Sequence, residues 1–95
     1  MALSERQEND KIEVVGKYKA VQVRRADIVE RDGTEIARTF HRHCLMPGSV
    51  DADDNWTDTD ISGEDADVQA ICNAAWTQAV KDAYKAHLIA TRDAL

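Results

Sequence analysis

Apolar and polar residues alternate with a period of two over much of the first half of the chain, then change to a helical period. Val21-Gln22-Val23 and Ile36-Ala37-Arg38-Thr39-Phe40 show the short period, which places alternate side chains on opposite faces of a strand. Between them stands Glu30-Arg31-Asp32-Gly33-Thr34. An Asp-Gly pair flanked by alternating residues is a strong hairpin signal, because Gly accepts φ > 0 without steric cost. The pattern predicts one long antiparallel hairpin with arms at roughly residues 12–30 and 35–46, and Gly16 as a bend or bulge inside the first arm. A type I turn with Gly33 as a bulge pairs Ile28 with Ile36, and a two-residue turn pairs Val29 with Ile36; the first is the preferred register.

Met46-Pro47-Gly48 ends the second arm, since Pro lacks a backbone donor and Gly loosens the chain. Residues 47–61 then read as a connection. Ser62 stands where an N-cap belongs, with Asp65 three residues on to complete a capping box and further acids beside the positive end of the helix dipole. From Gly63 to about Arg92 the period is helical. Val68, Ile71, Cys72, Ala75, Ala79, Ala83, Ala86 and Ala90 share one face, with Trp76 and Val80 at its border and Lys81, Lys85 and Arg92 opposite. The expectation is an elongated α+β domain over residues 11–95, a long hairpin followed by one long alanine-rich amphipathic helix. Residues 1–10 are expected to form a flexible leading segment without a part in the fold.

Composition makes that shape a problem of burial. Of the 95 residues 43% are apolar, but fourteen are Ala and Phe40 is the only Phe. A short chain with few large apolar side chains has a thin stability margin, and one helix covers only one face of a hairpin, leaving the other face and both edges open. Self-association is therefore expected, through Val68, Cys72, Ala75, Trp76, Ala79 and Ala83 on the helix and through Trp56, a large aromatic in a polar connection.

Charge is unevenly distributed. Residues 11–46 carry a net +3, residues 47–95 a net −7 and residues 1–10 a net −2, giving −6 overall. An acidic chain does not favour general binding to nucleic acid or anionic membranes, and no apolar run approaches the roughly 20 residues of a membrane span. The leading residues lack the basic start and apolar stretch of a signal peptide, so synthesis in the cytoplasm is expected. Cys44 and Cys72 are too few for a disulfide framework and read as free thiols.

Three constellations invite a chemical reading. Eight acids lie within residues 51–67 without an intervening base, and Asp58-Thr59-Asp60-Ile61-Ser62-Gly63 opens like a calcium loop. Position 12 of such a loop would be Gln69 rather than a bidentate Glu, so a solvated helix start is the better reading. His41 and His43 project from one strand face but lack the further ligands a zinc site needs. Cys44 beside a His fails as a nucleophile and base pair, because adjacent strand residues point to opposite faces. No catalytic residue, cofactor or metal is expected. Lys17, Lys19, Arg24, Arg25, Arg38 and Arg42 make the hairpin basic, but Asp27, Glu30, Asp32 and Glu35 interrupt the stripe that phosphate binding favours.

Lys11-Ile12-Glu13-Val14-Val15-Gly16, Phe40-His41-Arg42-His43, Asp60-Ile61-Ser62-Gly63-Glu64 and Ala75-Trp76-Thr77 together resemble small uncharacterised proteins of marine tailed bacteriophages, including those of cyanobacteria, over most of residues 11–88. The resemblance carries no catalytic residue. It implies a phage setting, and with it a non-catalytic, homo-oligomeric structural or assembly component of the virion (tail, fibre or capsid-associated) whose partners are itself and other phage structural proteins. The alternative is a small phage regulator that binds a host protein or nucleic acid through the basic hairpin.

Overall fold

The computed structural model describes residues 2–94. Five strands, β1 (Leu3–Val15), β2 (Ala20–Arg31), β3 (Thr34–Leu45), β4 (Gly48–Val50) and β5 (Trp56–Asp58), precede two helices, α1 (Ala66–Ala75) and α2 (Gln78–Asp93). The α+β class is as expected; the connection expected over residues 47–61 contains the antiparallel pair β4–β5, and three further features of the architecture differ.

The first difference lies at the start of the chain. Residues 16–19 form a tight turn, with Gly16 at φ 79°, Lys19 at φ 55° and Lys19 N donating to Gly16 O at 3.2 Å. The expected first arm is therefore two strands, and residues 3–10, expected to take no part in the fold, supply eight of the 13 residues of β1. β1, β2 and β3 make an antiparallel meander in that order. Ala2 closes the far end, exchanging hydrogen bonds with the backbone N–H and side chain of Asp32.

Register is the second difference. Arg31 pairs with Thr34 across a two-residue turn in which Asp32 and Gly33 both have positive φ, 51° and 82°. That geometry matches the right-handed twist of the flanking strands. Val29 pairs with Ala37 and Glu30 with Glu35, so Ile36 is an extra, bulged residue with neither Ile28 nor Val29 as its partner. A second irregularity falls at Asp10, between the pairs Asn9–Arg25 and Lys11–Arg24.

The third difference is in the helices. Ser62 does not cap a helix: its N–H donates to Asp60 Oδ1 at 2.9 Å, and α1 begins four residues later with Asp65 at the N-cap position. The Asp65 side chain makes no cap bond and instead accepts from Asn9 Nδ2 at 2.8 Å. The expected single long helix is broken at Trp76-Thr77. Trp76 leaves helical geometry at φ −91°, ψ 70°, and Thr77 becomes a new N-cap whose hydroxyl accepts from Val80 N.

α1 lies against one end of one sheet face, where Val68, Cys72 and Trp76 enclose Val21 and Val23, flanked by Ile12, Leu45, Ile61, Ile71, Ala75 and Val80. The Trp76 indole N–H donates to Lys19 O at 2.8 Å, tying the helix break to the β1–β2 turn. Because the break re-phases the chain, Ala79, Ala83, Ala86 and Ala90 are exposed, while Val80, Tyr84, Leu88 and Ile89 are half-buried. α2 packs chiefly on β4, where Tyr84 meets Trp56 edge-on and also meets Tyr18, which stacks on His87. Gly48 is required there, since a Cβ would collide with the Trp56 indole and the Thr57 carbonyl. The molecule measures 60 × 27 × 21 Å, and the sheet runs on past the helix-covered end.

Candidate interaction surfaces

On the sheet face away from α1, β2 presents Arg24, Ala26 and Ile28, with Lys11, Glu8 and Arg6 beside them on β1 and Arg42, Phe40 and Arg38 on β3. Ala26 and Ile28 are almost wholly buried although no helix covers this face. The cover is made of charged side chains. Arg38 reaches across the middle strand to within 3.5 Å of Glu8 and Asp10 on β1, and also binds Glu35 at 2.7 Å. Arg24 grips Asp10 with two hydrogen bonds of 2.9 and 2.8 Å, and Arg6 binds Glu8 and Glu30. Arginine stems can bury apolar surface while their heads stay hydrated. The Arg24 hydrogen bonds hold the Asp10 carboxyl below its ordinary pKa, and the Arg38 hydrogen bonds do the same for Glu35.

Beyond this roof the same face opens into a hollow of about 330 Å³ lined by Lys11, Glu13, Gln22, Arg24, Arg42 and Cys44 among others. Phe40, 42% exposed, stands beside it with the Arg24 guanidinium 4.4 Å and the Arg42 guanidinium 5.9 Å from its ring centre. Arg42 belongs to no ion pair among the described residues, whereas the other sheet arginines expected to form a basic patch, Arg24, Arg25 and Arg38, are all paired to carboxylates.

The acids of the connection are mostly engaged locally. Asp51 accepts from the backbone N–H groups of Asn55 and Asp53, which lowers its pKa, and Asp58 is lowered by the Trp56 indole N–H and then by Lys81. Asp60 is lowered by Ser62. Arg92 donates to Asp51 O at 2.9 Å and pairs with Asp54, so the β4–β5 loop is clamped to the end of α2. Asp53, which is exposed, has no side-chain partner among the described residues.

His41 Nε2 lies 2.8 Å from Asp27 Oδ2, and His43 Nε2 lies 2.6 Å from Glu64 Oε1. Among the described residues no three His, Cys, Asp or Glu side chains converge as a metal set would. Cys44 is exposed and Cys72 buried, both as free thiols; burial, then the nearby Glu64 charge, pushes the Cys72 thiol up.

The seven residues proposed from sequence as an interface do not share a surface. Val68, Cys72 and Trp76 are consumed by the intramolecular core, Ala75 is packed against it, Trp56 folds back on Tyr84, and only Ala79 and Ala83 are exposed. What sequence reasoning missed is the arginine roof and the hollow beside it. Their signal was Arg24 on β2 and Arg38 and Arg42 on β3, which share one sheet face with the acids Glu8 and Asp10 of β1, distant in sequence. No family model, curated protein or solved structure matches the chain.

Proposed function

We propose that the protein is a non-catalytic building block of a tailed phage particle that works by assembling with copies of itself and with other structural proteins of the virion. The observation that supports this reading best is the amount of strand surface left without cover. β1 and β3 are edge strands of 13 and 12 residues, and β3 is exposed over nearly its whole length. Long open edges are templates for pairing with another chain, and Leu3, Val14, Val15, Ile36 and Phe40 add exposed apolar surface along them.

The chemistry of the side chains is consistent with a non-catalytic role. His43 is held by Glu64 on the helix-covered face, while its neighbour Cys44 lines the hollow on the opposite face, an arrangement that keeps thiol and imidazole apart. The phage setting rests on the sequence resemblance. Light scattering coupled to size exclusion, together with mass spectrometry of purified particles, tests the reading. An oligomer in solution and the chain in the particle are expected; a monomer at every concentration, absent from particles, would overturn it in favour of the regulator.

A further inference from the structure

The hollow and the β4–β5 loop are complementary in charge, and among the described residues each holds an ionic side chain without a partner, Arg42 and Asp53. We propose that the loop Asp51–Asn55 of one copy seats in the hollow at Lys11, Arg24, Arg42 and Phe40 of a second copy, with Asp53 meeting Arg42. This inference rests on the self-assembling reading above and assigns the surfaces that carry it.

Four observations converge. Among the described residues Arg42 is the cation of the hollow that lacks a carboxylate, and Asp53 is the loop acid whose carboxylate has neither an ion pair nor a hydrogen bond, whereas Asp51 accepts from Asp53 N and Asn55 N and Asp54 pairs with Arg92. A desolvated arginine and carboxylate pair is worth most when neither is already compensated. The loop is pre-shaped, since Asp51 Oδ1 accepts from Asp53 N at 2.8 Å and Asn55 N at 3.0 Å, Asp54 holds φ 64°, and Arg92 clamps the base. Pre-organisation lowers the ordering cost of binding. The loop carries only short side chains, Asp-Ala-Asp-Asp-Asn, so the Asp53 carboxylate can enter a hollow of about 330 Å³. Finally, none of the residues 47–67 lines the hollow of its own chain, so the two patches are left to meet between copies.

A polyphosphate is the competing occupant of a basic hollow. The net charge of −6, with eight acids in residues 51–67, opposes it, while the same acids provide the attraction between copies. The hollow itself contains Glu13, paired with Lys11 at 2.8 Å, which further disfavours phosphate and leaves Arg42 as the anchor.

The test is charge exchange, read by sedimentation velocity at low salt and at about 1 M salt, where the screening length falls to about 3 Å. Wild type should associate at low salt and loosen at high salt. Arg42→Glu and Asp53→Lys, both at exposed positions and checked for folding by circular dichroism, should each weaken association about tenfold or more. Mixing the two variants should restore it, because one supplies an intact loop and the other an intact hollow. An independent check places a thiol on the loop as Ala52→Cys, which on oxidation of the two thiols by added oxidised glutathione should give an intermolecular disulfide with Cys44 that is lost in the Cys44→Ser background. Association unchanged by both variants and by salt would overturn this contact while leaving self-assembly standing. A wild-type monomer under all conditions would overturn both. Wild type that associates only when a short DNA or RNA oligonucleotide is added, with Arg42→Glu failing to bind it, would replace the loop with nucleic acid and overturn the proposal.

Discussion

The two ends of the sheet solve the same problem, covering the middle strand, with different materials. At the end near residues 14, 21 and 45, α1 lays Val68, Cys72 and Trp76 over Val21 and Val23 and makes a dry apolar core. On the opposite face toward the Asp32-Gly33 turn, Ala26 and Ile28 are equally buried, but under Arg6, Arg24 and Arg38 and the carboxylates they bind. The first solution depends on apolar area and shape, and is not weakened by charge screening. The second depends on ion pairs that remain in contact with solvent, and such pairs are screened and individually weak. A chain short of large apolar side chains can thus extend its sheet beyond its helices, at the cost of a half that responds to its ionic surroundings.

The largest expected effect falls on the helix-covered end. Trp76→Ala removes a buried indole, its bond to Lys19 O and the break that orients α2; it should cost about 3–5 kcal/mol in urea unfolding, a large part of a total stability of about 5–15 kcal/mol. A loss under about 1 kcal/mol would mean that the apolar half is not the main support.

Ile28→Ala tests the other half. It should cost about 2–3 kcal/mol, toward the lower end of buried Ile truncations because a roof of flexible arginine stems can settle into the space. A cost equal to that of Trp76→Ala would erase the contrast between the two ends. Arg38 separates the contribution of stem and charge. Arg38→Ala should lower the urea midpoint, and Arg38→Met, which keeps an apolar stem beside Ile28, should lower it less; equal losses from both variants would assign the roof to charge alone.

Acid should act on the roofed end first. Asp10 and Glu35 have folded-state pKa values below their ordinary ones because of Arg24 and Arg38. A carboxylate depressed on folding contributes stability above its unfolded pKa, near 4, and that contribution disappears as pH falls through the lower folded value. Residue-resolved NMR titration should therefore separate the two ends, with the amides around Ala26 and Ile28 changing at less acid pH than those around Val21 and Val23. Coincident titrations would deny the roof its special dependence.

Local rules explain how much of this was legible in sequence. The Asp32-Gly33 turn could be read because two residues with positive φ suffice to define it, but its register could not, since the Ile36 bulge is decided by pairing along the rest of β3. Gly16 was visible as a bend; that it opens a full turn depends on Lys19 adopting φ 55°, which Lys does not advertise. Thr77 is a good N-cap residue, yet it was hidden inside an alanine-rich helical pattern running through it, and the break follows from Trp76 docking on Lys19 O, a contact 57 residues away. For the same reason the alanine face was legible as a stripe but assigned to the wrong side. The arginine roof joins residues on three strands, and no local pattern reports a bond such as Arg38 to Asp10.

Residue-resolved hydrogen exchange, compared at low salt and at about 1 M salt, tests the division of the sheet most directly. The amides around Val21 and Val23 should keep their protection at both salt concentrations, while those around Ala26 and Ile28, with their partners in β1 and β3, should lose protection at high salt. Equal response at the two ends, or greater loss under α1, would contradict the account.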